Sequence, residues 1–188
     1  RHFIDISQGN DKYDYMYASS MENAEVKPAS GRLQYVFGDY NVGVKGEHFA
    51  VLFSKMYGGL TSYKLRGVEL LRSQPRPNFW RAPVDNDRGA QMPAGKGKWK
   101  LAGDYAKCVD VKVNDNSAKT GSDRYVEVVY TYALGMDGLG EAVVRYKVFE
   151  DGFIKTTLSY ETKGENFDMP EFGMMFKTDA DFDNLTWY

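Results

Sequence analysis

The chain of 188 residues contains one cysteine, Cys108, and two histidines, His2 and His48. A single thiol excludes an internal disulfide and any cysteine-built metal cluster. No apolar stretch nears the roughly 18 residues that a membrane-spanning helix needs. No charge of one sign dominates: 24 Lys and Arg stand against 26 Asp and Glu, a net of −2. Proteins that neutralise nucleic-acid phosphates need a basic face, so neither nucleic acid nor membrane is expected as a partner. No Gly-rich loop opens a helix to cradle a dinucleotide, and no Gly-x-Ser-x-Gly elbow presents a nucleophilic serine. No apolar signal region follows Arg1-His2-Phe3-Ile4-Asp5. The chain starts without Met and ends at Tyr188, and the expectation is a fragment or a processed chain, its compartment left open.

Aromatic residues are plentiful: 14 Tyr, 11 Phe and 3 Trp. Tyr, Phe, Val and Thr suit the half-buried surface of a sheet. Period-2 alternation, with one side of each strand wet, recurs along the chain. Phe49, Val51 and Phe53 share one face. So do Val109, Val111 and Val113; Val126, Val128, Tyr130 and Tyr132; Val144, Tyr146 and Val148; Ile154, Thr156, Leu158 and Tyr160; and Phe172, Met174 and Phe176. Gly58-Gly59, Asn114-Asp115-Asn116, Asp137-Gly138 and Asp151-Gly152 supply residues that tolerate tight turns. Phe149-Glu150-Asp151-Gly152-Phe153 is the best single hairpin signal. The spacing predicts about ten antiparallel strands packed as two sheets, an all-β sandwich.

Two segments break the rhythm. Residues 1–30 read as a linker or lead-in with at most one strand, and Pro28-Ala29-Ser30-Gly31 marks the boundary to a domain over 31–188. Ser73 to Gly97 holds Pro75, Pro77, Pro83 and Pro93, four of the six prolines. Proline removes a ladder donor, so a long irregular crossing is expected here, with a short helical turn around Lys98–Leu101. Long loops of this kind are functional or specifically packed.

That crossing carries the run Arg76-Pro77-Asn78-Phe79-Trp80-Arg81-Ala82-Pro83-Val84-Asp85-Asn86-Asp87-Arg88-Gly89. It resembles the signature of the small-chain, C-terminal domain of the large β-galactosidases of glycoside hydrolase family 2. Gly59-Leu60, Gly67-Val68-Glu69-Leu70-Leu71, Trp99-Lys100-Leu101-Ala102-Gly103, Met169-Pro170-Glu171-Phe172-Gly173 and Phe182-Asp183-Asn184-Leu185-Thr186-Trp187-Tyr188 match in order. The resemblance implies an antiparallel two-sheet supersandwich of the galactose-mutarotase-like type over residues 31–188, truncated at its C-terminus. It implies a parent that is a retaining glycosidase, hydrolysing terminal β-D-galactose from β-galactosides with two Glu on a TIM-barrel domain outside this chain. The implied partners are the remaining domains of the parent and the β-galactoside sugar. No cofactor is expected in this chain, any Mg or Na of the parent being bound elsewhere.

The candidate site is the loop of Arg81, Asp85, Asn86, Asp87 and Gly89, which the resemblance places beside the active site. On residue chemistry alone, Arg81 bridging carboxylates and backbone carbonyls, with Asp and Asn capping their own turns, is a sufficient reason for the pattern. The resemblance adds that Gly89 opens a mobile loop, here running to about Gly97. Asp85 and Asp87 lie too near in sequence to straddle a sugar as a glycosidase pair does. A calcium loop counted from Asp85 puts Gly89 at position 5 and Lys96 at position 12, so that pattern fails, and no metal site is expected. No catalytic residue is expected either. His48 reads as solvent-facing, Trp80, Trp99 and Trp187 as core, and Cys108 as an inert buried thiol. The rival readings are a stand-alone carbohydrate-binding module and an aldose epimerase on the same fold, the latter requiring His48 in a groove.

Overall fold

The computed structural model describes residues 25–27, 33–120, 124–136, 138–161 and 169–184. His2, Trp187 and the Asp137 turn position lie outside them. The first sheet is an antiparallel meander of β1 (Glu25–Lys27), β2 (Gln34–Phe37), β3 (Asn41–Lys45), β4 (Phe49–Ser54), β5 (Gly59–Leu65) and β6 (Val68–Glu69), paired in sequence order. A second meander joins β8 (Lys107–Asp115), β9 (Tyr125–Ala133), β10 (Glu141–Phe149) and β11 (Ile154–Tyr160). Between them in sequence, β7 (Ser73–Asn78) pairs with the later β12 (Gly173–Lys177) as a two-stranded ribbon.

The two meanders meet through the alternating faces that the sequence marks. Val42, Val44, Val51 and Phe53 on one side, and Val126, Val128, Tyr130, Val144, Tyr146 and Val148 on the other, are all fully buried in one core. Hydrogen bonds tie the sheets as well: the Tyr130 hydroxyl donates to the Ser54 and Gly59 carbonyls at 3.0 and 3.2 Å, and Tyr132 to that of Gly58 at 3.0 Å. The hairpin at residues 149–153 is present. Gly152 adopts φ 84°, open to glycine at little cost, and the Phe149 N–H reaches the Phe153 carbonyl at 3.0 Å.

The body is therefore an all-β antiparallel sandwich, with three corrections of detail. Twelve strands in three hydrogen-bonded sets are found among the described residues, against the expected ten in two. Pro75 and Pro77 lie inside strand β7 rather than in irregular chain, because a two-stranded ribbon leaves edges where a missing N–H costs nothing; both are buried. Two alternations are interrupted by bulges. The register of β8 shifts between Cys108 and Asp110, which leaves Val109 55% exposed while Val111 and Val113 still pack on the core. A shift between Met175 and Lys177 breaks the face of β12, so Met174 reaches the core while Phe176 stays half exposed; Phe172 precedes the strand and is also half exposed.

The largest correction is helical. After α1 (Asp85–Gly89), a 13-residue helix α2 (Met92–Asp104) replaces the expected mobile loop from Gly89 to Gly97 and extends the expected turn at Lys98–Leu101. Pro93 sits in its first turn, where proline costs no hydrogen bond. Met92, Trp99 and Ala102, at i, i+7 and i+10, bury one face. A second core gathers there: Phe79, Trp99, Ala102, Leu134, Leu139 and Ala142 are buried together. Its rings meet at tilted or edge-on angles, Phe79 to Trp99 at 5.9 Å and Trp99 to Tyr160 at 5.9 Å, the arrangement that aromatic quadrupoles favour.

Candidate functional site

The chain leaves β7 at Asn78 and is pinned at once by the fully buried Phe79. The Asn78 side-chain amide donates to the Trp80 carbonyl at 3.0 Å, fixing the bend. Residues 81–84 then run without regular structure into α1. The N-cap of that helix is Val84, which has no side-chain oxygen to cap it. Asp87 makes the other half of a cap by reaching back: its Oδ2 takes the Val84 N–H at 2.9 Å. Such a carboxylate also opposes the positive end of the turn.

The same carboxylate clamps Arg81. Arg81 Nη1 donates to Asp87 Oδ2 at 2.5 Å, Nη2 to Oδ1 at 2.9 Å, and Nη1 makes a longer bond to the Ala82 carbonyl at 3.4 Å. Two parallel bonds fix the guanidinium plane as well as its position. Asp87 is held below the usual carboxylate range, first by the Arg81 bonds and then by the Val84 N–H, while the Asp87 contact raises Arg81. Glu171 and Lys96 add charge from outside the loop, Glu171 favouring the Arg81 cation and Lys96 the Asp87 anion. Neither was singled out from sequence for this role. Glu171 stands in the Met169–Gly173 stretch that carries part of the family resemblance, which is the signal that could have found it.

The remaining candidate residues point elsewhere. Asp85 is fully exposed, with Arg88 Nη1 3.7 Å from its carboxylate. Asn86 is exposed on the same turn, and its carbonyl accepts the Ala90 N–H at 2.9 Å. Gly89 ends α1 with open space where a Cβ would stand. The structure thus brings Arg81 and Asp87 together and leaves Asp85, Asn86 and Gly89 on the solvent side of a short helix. Among the described residues, no group of three His, Cys, Asp or Glu gathers as metal ligands do.

His48 faces solvent as expected, its side chain 65% exposed and 3.6 Å from Glu47. Trp99 is core, whereas Trp80 is half-buried against the second core. Cys108 is half-buried rather than fully buried. Burial pushes its thiol up, with the Asp110 backbone acting in the opposite direction. Chemically, the site offers a pre-oriented cation and an exposed rim of donors and acceptors.

Residues 45–188 match the family described as β-galactosidase small chain. A β-galactosidase of Halalkalibacterium halodurans is 39% identical over 163 residues, 85% of this chain and 16% of the relative. One of Streptococcus thermophilus is 36% identical over 165 residues, 86% of this chain and 15% of the relative. A β-galactosidase small subunit of Latilactobacillus sakei is 33% identical over 159 residues, 77% of this chain and 50% of that protein. The chain therefore spans less than a fifth of the long relatives and half of the small subunit. Both the length of the match and these identities lead to one statement: the chain belongs to the β-galactosidase small-chain family.

Proposed function

We propose that this chain is a non-catalytic part of a retaining β-galactosidase of glycoside hydrolase family 2. In that reading, residues 31–188 form the domain, and its Arg81–Gly89 loop borders the active site and contacts the β-galactoside once assembled. The acid–base and nucleophile carboxylates, with any Mg or Na, belong to the rest of the parent enzyme, which is the chain's partner. The observation that carries the reading is the clamp: a guanidinium locked by Asp87 at 2.5 and 2.9 Å on an exposed loop. Holding a cation so rigidly at a surface serves recognition by a neighbour better than it serves stability, since exposed ion pairs contribute little.

The test measures hydrolysis of a nitrophenyl β-galactoside. The isolated chain is expected to release no nitrophenol, while the assembled enzyme hydrolyses the substrate. In the assembled enzyme, Arg81→Ala is expected to lower kcat/KM roughly 10- to 100-fold, the scale of losing one positioning contact. Hydrolysis by the isolated chain, or an Arg81→Ala enzyme with unchanged kcat/KM, would sink the proposal.

A further inference from the structure

At one end of the first sheet, the β3–β4 turn (Gly46, Glu47, His48) and the β5–β6 turn (Arg66, Gly67) enclose a groove of about 330 Å³. Cavities that hold small ligands start near this size, roughly 300 Å³. Its lining is cationic: Lys45, Lys64 and Arg66, with His48 beside them and Glu47 as the opposing carboxylate. Glu47 lies 3.6 Å from His48. Lys64 and Glu47 also hold interactions of their own.

The register explains why a space exists there. Lys45 pairs with Ala50, and Ala50 with Lys64, across three adjacent strands. Phe49 and Val51, flanking Ala50, belong to the core, so this row lies on the opposite face of the sheet. With strands about 4.8 Å apart, the two lysines stand on either side of one methyl group. On β6 the row ends at Glu69, the cross-strand partner of Lys64, and Arg66 stands in the turn beyond Lys64. It sits at φ 51°, in the left-handed region that non-glycine residues avoid. Its neighbour Gly67 has φ 82°, the pair of positive angles that a two-residue hairpin needs. Asn or Asp is the usual choice at the first of these positions, so the strain at Arg66 points to a use for the side chain. The turn is also tied down, because the Arg66 N–H donates to the His48 carbonyl at 2.6 Å.

We propose that this groove binds a phosphate-type oxyanion, either free phosphate or the phosphomonoester of a small polyol. A tetrahedral dianion presents oxygens in three directions and can meet Lys45, Lys64 and the fork of Arg66 together. A carboxylate has only two oxygens and leaves one cation unmet. The Phe49 ring packs against Gly46 on one side of the groove, and the neutral wall of Ala50 and Gly67, with open space at Gly67, is left for the body of an ester.

Calorimetric titration of the intact protein at low salt tests the site with inorganic phosphate, a hexose 6-phosphate and the same hexose without phosphate. At least one phosphate compound is expected to bind saturably, and the plain hexose at least tenfold more weakly. Tighter binding of the ester identifies the ester as the source, and tighter binding of inorganic phosphate identifies the free anion. Arg66→Gly removes the guanidinium while suiting the left-handed backbone, so its Tm is expected to hold or rise as affinity falls at least tenfold. Ala50→Leu fills the gap between the lysines and is expected to abolish binding. No saturable heat from either phosphate compound, equal binding of the plain hexose, or undiminished affinity in a folded Arg66→Gly protein would each overturn the site.

Discussion

In the second meander, buried apolar residues recur every second position: Val126, Val128, Tyr130 and Tyr132 on β9, and Ala142, Val144, Tyr146 and Val148 on β10. In the crossing from Phe79 to Asp104, they fall at Phe79, Met92, Trp99 and Ala102. The first pattern repeats over many strands, so loss of one member leaves the rest in place. The second rests on single anchors, with an ion pair between Arg81 and Asp87 added on top. Periodic burial builds the body, and isolated anchors position the loop that the body carries. Regions held so differently are expected to open at different free energies.

The sharpest test sets one large substitution in each region. Phe53→Ala empties a fully buried position against Tyr146 and is expected to cost about 3–5 kcal/mol. That loss should lower hydrogen-exchange protection across both meanders. Trp99→Ala removes the anchor of α2, at a cost on the same order, about 3–5 kcal/mol. Its loss of protection should concentrate in residues 79–104 and spare β4 and β9. Uniform loss of protection in the Trp99→Ala protein would show that the two regions open as one unit, and the contrast would fail.

The glycines of α2 divide by position. Gly103 lies where a Cβ would come 2.7 Å from the Pro77 carbonyl oxygen, so the helix is pressed against β7. Gly95 and Gly97 face open space. Gly103→Ala is expected to destabilise by about 1–3 kcal/mol through overpacking. Gly95→Ala should instead stabilise by roughly 0.8–1.0 kcal/mol through helix propensity. Denaturant midpoints read both, and a stabilising Gly103→Ala would mean that the helix is not held by that approach.

These glycines also explain why the sequence concealed the helix. Gly95, Gly97 and Gly103, with Pro93, lower the helical signal at the same positions where Met92, Trp99 and Ala102 supply the apolar face. The burial of that face depends on Phe79, Leu134 and Leu139, which are distant in sequence, and no local period reveals them. The meanders were legible because alternation and turn residues are local properties. The bulges at Val109 and near Phe176 were not, since a bulge shows only when two strands are set in register. Of the site, a bridge from Arg81 to a carboxylate followed from residue chemistry, but the choice of Asp87 over Asp85 depends on the turn of α1. The added charges of Glu171 and Lys96 depend on how the segment before β12 and helix α2 pack.

Within the body itself, two tyrosines separate burial from hydrogen bonding. Tyr130 donates to two carbonyls, whereas the equally buried Tyr146 hydroxyl has no partner among the described residues. Burial pushes both phenols well up, so neither ionises near neutral pH. Tyr146→Phe removes an unpaired buried group and is expected to stabilise by about 1 kcal/mol. Tyr130→Phe leaves two carbonyls short of a donor and should destabilise by about 1 kcal/mol. Denaturation of both variants checks the signs, and a destabilising Tyr146→Phe would place a bound water on that hydroxyl.

The smallest effect concerns the crossing's ion pair and is read through pH. Asp87 has its folded-state pKa lowered by Arg81 first and the Val84 N–H second. A carboxyl lowered in the fold contributes stability above its unfolded value, about 3.9, and loses it as pH falls through the folded value. Asp87→Asn should therefore be less stable than the natural chain by a constant margin between about pH 5 and 7. That margin should shrink below about pH 4 and vanish once Asp87 is protonated in the fold. Because the pair faces solvent, salt near 1 M should erase most of it, with a Debye length of about 3 Å there. A margin that ignores both pH and salt would mean that Asp87 acts as a neutral cap on α1 and not as the counter-charge of Arg81. The crossing would then rest on its buried anchors Phe79, Met92, Trp99 and Ala102 alone, and Arg81 would be free to leave the position that the clamp gives it.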